Sequence, residues 1–200
     1  LIETGQYGRD PQRRVERYDQ LDPEKGVVRP TGTEANKKVR DYAVKRMKEV
    51  GLKIKVDGVG NIFARKEGSR TGRGVVMCGS HLDSVINGGQ FDRAFGVFGA
   101  VEAVRRMADE GFDNERPIEV VVFTSEEGSA FGLTLLGSSA LIGKLSIDDA
   151  LNRKNPAGQT LAEALEQIGE GETGKRGVAD VENFVEMHIE QGPVLYNEKV

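Results

Sequence analysis

Two short apolar runs constrain this chain more than any other feature. GVVMCGSH (74–81) and PIEVVVFTSEEG (117–128) are nearly continuous in apolar, largely β-branched residues. A strand with one wet face alternates apolar and polar residues, whereas an unbroken run indicates burial on both faces. Between them, GVFGAVEAVRRMADEG (96–111) carries an apolar stripe at helical spacing and ends at a glycine. Strand, helix and strand in that order predict a parallel pair joined by a crossover helix.

The flanking sequence extends this pattern. TGTEANKKVRDYAVKRMKEVG (31–51) predicts a helix with Thr33 as N-cap and Gly51 as its stop. LKIKVDGVGNIFARKEG (52–68) alternates around a D-G turn and predicts two strands in a hairpin. Residues 130–143 are apolar and glycine-punctuated and are expected to form a buried helix. Residues 146–168 predict short helices capped by Ser146 and Thr160, and NFVEMHIEQG (183–192) a third strand. Residues 1–30, with Pro11, Pro23 and Pro30, predict an irregular or short-helical lead-in. The fold class expected is α/β, a mixed, mostly parallel sheet sandwiched by helices.

Composition narrows the function classes. With 28 basic against 32 acidic residues the net charge is −4, which argues against a nucleic-acid binder, normally marked by a basic face. No apolar run reaches the length of a membrane helix, and the polar N-terminus shows no signal peptide. A single cysteine, Cys78, allows no internal disulfide and fits a reducing, cytoplasmic location. The chain begins with Leu rather than Met, as a piece of a longer chain would.

The chain has two histidines, and both stand at expected strand ends beside acids. His81 and Asp83 follow the first run, with Asp92 beyond a loop holding Gly88 and Gly89. Glu126 and Glu127 follow the second, and His188, Glu190 and Gln191 accompany the third. Sites in open α/β sheets form at the carboxyl ends of strands, so these groups can converge. Singly, each has a plain structural explanation: His81 as a loop histidine, Asp83 as a turn former, the Glu pair as an acidic helix start, His188 as core. Jointly, imidazoles and carboxylates suit one or two divalent ions such as Zn²⁺, Mn²⁺ or Co²⁺. The Gly88-Gly89 loop lacks the lysine pattern of a phosphate cradle.

GSHLDSVINGGQFD, FTSEEGSAFG and FVEMHIEQGPVL, in that order, resemble the dinuclear metal amidohydrolase and aminopeptidase superfamily of the aminoacylase and carboxypeptidase G type. The HIEQGP form and VDGVGNIFARKEG resemble its hydantoinase/carbamoylase branch, which holds N-carbamoyl-L-amino-acid and allantoate amidohydrolases. The resemblance implies two divalent ions, Zn²⁺ or Mn²⁺, with Co²⁺ or Ni²⁺ as further candidates. It implies His81, Asp92, Glu127 and His188 as metal ligands, Asp92 bridging the ions. Asp83 would orient His81, Glu126 would act as general base, and Gln191 would face substrate. The substrate implied is a small ureide or N-carbamoyl amino acid, with neither nucleic acid nor membrane as partner, and full-length relatives are expected to be homodimers. Residues 1–200 then correspond to the N-terminal part of the catalytic domain, lacking a smaller lid and dimerisation domain and a final catalytic segment with one more histidine ligand. Peptidase or aminoacylase chemistry, and an inactive remnant that only binds metal, are the alternatives.

One residue departs from that pattern. Arg93 follows Asp92 where relatives generally have glycine, and puts a fixed charge next to the expected ions. The plain expectation is that it faces solvent or pairs with a nearby acid.

Overall fold

A computed structural model describes residues 3–8 and 26–199. The expected lead-in therefore falls mostly outside the described residues, Pro11 and Pro23 included. The two apolar runs are the centre of one five-stranded sheet. β3 (Val75–His81) and β4 (Ile118–Phe123) pair in parallel, His81 opposite Phe123. β2 (Ile62–Lys66) runs antiparallel to β4, β1 (Lys53–Val56) antiparallel to β2, and β5 (Val181–Val185) parallel to β3. The order is β1-β2-β4-β3-β5, and only β2 runs against the rest.

Burial on both faces explains the unbroken sequence of β3 and β4. α1 (Glu34–Glu49) and α2 (Ala94–Asp109) cover one face, where Val39, Ala43, Met47, Val97 and Val101 pack with Ile62, Ala64, Val120 and Val122. Phe63, Val75, Met77 and Val121 point the other way and meet Leu141 of α3 (Leu136–Leu141). α4 (Ile147–Leu151) and α5 (Leu161–Gln167) add a smaller core around Val59, Phe131 and Leu136. Among the described residues no helix is long and apolar enough to cross a membrane.

The helix ends follow the expected caps. Thr33 accepts from Asn36 N–H, Ser146 from Asp149 N–H, and Gly51 ends α1 at φ +80°. Thr160 and Glu163 form a reciprocal capping box on α5, which buries Leu161 and Leu165. Thr160→Ala is expected to lower stability by about 1 kcal/mol. A urea unfolding midpoint unmoved by the substitution would refute this.

Two elements differ from expectation. Residues 130–143 are helical only at Leu136–Leu141. The entry to α3 and its first turn give backbone donors to the segment just after β4 instead: Leu135 N–H to Glu126 O and Gly137 N–H to Thr124 O. Leu135 adopts φ +56°, and Leu135 and Ile142 are about half exposed. The third strand stops at Val185, so His188 to Gln191 lie in the loop beyond it. β5 is an exposed edge strand, not a buried one, because only β3 pairs with it.

One glycine bears directly on the site. Gly79, at φ +145°, lets β3 approach β4 so closely that a Cβ there would sit 2.0 Å from Val121 O. His81 follows two residues later.

Candidate active site

His81 ends β3 with its side chain buried. Its Nδ1 stands 3.3 Å from Asp83 Oδ1, and its Nε2 3.2 Å from Glu126 Oε2. Asp83 also accepts the backbone N–H of Glu126 at 3.1 Å and of Glu127 at 3.2 Å. One buried carboxylate thus fixes both the imidazole and the loop after β4. Ser125 in that loop takes φ +53°, which turns the chain so that Glu126 and Glu127 leave the strand line.

The electrostatics follow from these contacts. Burial opposes ionisation of Asp83, but His81 and the two N–H donors outweigh it and hold the carboxyl below its ordinary range. Burial alone would discharge His81, whereas the hydrogen bond and charge of Asp83 raise its pKa. Burial raises the pKa of Glu126; the negative charges of Asp83, Glu127 and Glu186 add to this, and His81 opposes it.

Asp92 organises the other half. Its Oδ2 accepts from Gln191 Nε2 at 2.8 Å and from Arg93 Nη2 at 3.2 Å. Its Oδ1 is buried, lies 3.3 Å from His188 Nε2, and receives no aligned hydrogen bond. His188 is partly exposed, with Nδ1 2.7 Å from Ile189 O. Arg93 joins the halves: the same Nη2 lies 2.6 Å from Glu127 Oε1. Of the two expectations for Arg93, solvent exposure or pairing with a nearby acid, the second holds: it is buried and pairs with two acids.

The seven residues to which the resemblance gives a role (His81, Asp83, Asp92, Glu126, Glu127, His188 and Gln191) thus belong to one network, whereas Glu190 accepts from the N–H groups of Val194 and Leu195 instead. It is not a preformed metal cage. Among the described residues no three His, Cys, Asp or Glu side chains are grouped to hold an ion. The donor chemistry nevertheless suits one cation. With Nδ1 of His81 donating to Asp83 and Nδ1 of His188 donating to Ile189 O, each Nε2 directs a lone pair at a carboxylate. Asp92 Oδ1 has no donor. The place between Asp92 and Glu127 does not suit a second cation, because Arg93 occupies it.

Sequence reasoning missed Arg29. It is fully buried, donates from Nη1 to Thr4 O at 3.0 Å, and sits where the charges of Arg93 and Asp83 act on it. Burial and the like charge of Arg93 push its pKa down to about 9, against the pull of Asp83. It lies outside every periodic element, so no pattern in the sequence marked it. A cleft of about 530 Å³ opens beside His81 and Glu126, lined by Met77, Phe123, Leu141 and Phe184 among others. A second cleft lies away from these residues, where Arg65 and Arg176 are already tied to Glu119 and Asp180.

The chain is similar to known proteins over nearly its whole length. Over 199 residues the chain is 39% identical to an N-carbamoyl-L-amino acid amidohydrolase of Geobacillus stearothermophilus, covering 98% of this chain and 46% of that protein. It is 37% identical over 155 residues to an allantoate amidohydrolase of Bacillus subtilis, covering 74% of this chain and 37% of that one. A crystal structure of a hydantoinase/carbamoylase family amidase from Burkholderia ambifaria superposes with a TM-score of 0.89 at 36% identity, over 99% of this chain and 45% of that one. The chain spans about half the length of the relatives it matches. The model of Peptidase family M28 matches residues 61–169, from the start of β2 through α5, with His81, Asp83, Asp92, Glu126 and Glu127 inside. On that match, over more than half of its length, the chain belongs to peptidase family M28.

Proposed function

We propose that this chain is the N-terminal part of the catalytic domain of a metal-dependent amidohydrolase that cleaves the C–N bond of N-carbamoyl-L-amino acids or allantoate-like ureides. The observation that carries the reading is the link from His81 through Asp83 to Glu126 and Glu127 at the ends of two parallel strands. The names and extent of its relatives support it. On this reading a smaller lid domain and one more histidine ligand lie outside residues 1–200, and two copies pair as a cytoplasmic dimer.

His81, His188 and Asp92 would hold a divalent ion, Zn²⁺ or Mn²⁺ by donor type. Such an ion supplies a water acidic enough to attack at neutral pH and a positive charge for the oxyanion. Asp83 keeps the His81 Nδ1 proton in place, so that Nε2 is the nitrogen available for binding. Glu126, with its raised pKa, takes the proton of the attacking water and returns it to the leaving nitrogen. Gln191 reaches the same carboxylate as His188 and would present its side-chain carbonyl oxygen to substrate.

Peptidase or aminoacylase chemistry is the second reading, favoured by the family whose model matches. The test uses the complete protein with added divalent metal, offered N-carbamoyl-L-amino acids and allantoate on one side and N-acyl amino acids and dipeptides on the other. Ammonia release from the first set, abolished by a chelator, is expected. Cleavage of the second set alone would move the assignment to the second reading. No turnover of either set by metal-loaded protein would overturn the enzyme reading.

A further inference from the structure

The hydrolase reading leaves Arg93 without a role, yet both of its Nη atoms are tied to partners while its Nε is buried without one. It is buried at 2% exposure, although a guanidinium keeps its charge and is costly to desolvate. Its Nη1 donates to Gly89 O at 2.7 Å. Its Nη2 lies between two carboxylates, 2.6 Å from Glu127 Oε1 and 3.2 Å from Asp92 Oδ2. A single nitrogen bridging two acids from different loops is the arrangement a bound cation would adopt. The backbone is also unusual, with Arg93 at φ +65°, a region that disfavours a bulky side chain. Strain of that kind persists where the surroundings over-determine it, and such residues concentrate at functional sites. The other side of Asp92 contrasts with this, since its Oδ1 has no donor and faces His188 Nε2.

We propose that Arg93 is a resident cation that takes the place of a second metal ion between Asp92 and Glu127, so that the complete protein binds one divalent ion per chain. The proposal rests on the metal-hydrolase reading. The guanidinium neutralises the two carboxylates, uses the oxygens an ion would need, and repels a dication that approaches them. It leaves Asp92 Oδ1 and the two Nε2 atoms as the open donors.

The test counts ions rather than turnover. Wild-type complete protein, Arg93→Gly and Arg93→Lys are saturated with Zn²⁺ or Mn²⁺, desalted, and their metal content is measured by elemental analysis. Expected are one ion per chain for the wild type and for Arg93→Lys, and two for Arg93→Gly, which removes the charge and relieves the positive φ. Two tightly held ions in the wild type would overturn the proposal and leave the metal-hydrolase reading standing. No ion in any form would overturn both. A single ion in a folded Arg93→Gly protein would also overturn it. Should that variant fail to fold, the wild-type count alone decides, one ion in support and two against.

Discussion

Glu126→Gln is expected to lower kcat by about 10²–10⁴-fold, with KM changed far less. The side chain stands on the cleft beside His81, 3.2 Å from its Nε2, on a loop fixed by the bond from its own N–H to Asp83. The substitution preserves size and backbone bond and removes only the ability to accept and return a proton. Glu126 is only partly buried, so its amide counterpart can be solvated and the fold should stay intact. Thermal unfolding of both forms, alongside steady-state kinetics on the substrate identified by the ammonia assay, separates the effects. A kcat within tenfold of the wild type at unchanged Tm would remove Glu126 as the base and turn attention to Glu127.

The sequence revealed the elements wherever one local force dominates. β3 and β4 are unbroken in apolar residues because both of their faces are covered. α1, α4 and α5 begin at their capping side chains because those oxygens satisfy otherwise unpaired helix donors. The site residues were visible because two rare histidines stand at strand ends beside acids. Sequence missed what depends on distant partners. The expected helix over 130–143 gave way to backbone pairing with 124–126. His188 read as a strand residue, but the sheet edge releases the chain at Val185. Arg93 stood out as a substitution, but its reach to Glu127, 34 positions along the chain, follows only from the convergence of two loops. Positive φ at Arg93 and Ser125 has the same origin, since tertiary contacts set those angles against local preference.

The largest expected loss of stability lies away from the site, at Arg40 on α1. Its Nε donates to Glu170 Oε1 at 2.8 Å and its Nη2 to Glu170 Oε2 at 3.1 Å, a bidentate pair almost out of contact with water. The same Nη2 donates to Gly60 O in the turn between β1 and β2. One guanidinium therefore ties α1, the hairpin turn and the segment after α5 together. Arg40→Ala leaves a buried carboxylate without its counter-charge and a carbonyl without its donor, and is expected to cost about 3–5 kcal/mol. Burial works against ionisation of Glu170, but Arg40 outweighs it and holds the carboxyl below its ordinary range. A depressed carboxyl pKa contributes stability above the unfolded value of about 4.3, and that contribution is lost as pH falls through the folded value. The gap between wild type and Glu170→Gln should thus be full at pH 7 and shrink as the solution is acidified below about pH 4. Urea unfolding across that range measures both effects. A loss below about 1 kcal/mol for Arg40→Ala would reduce this pair to the standing of an exposed surface bridge.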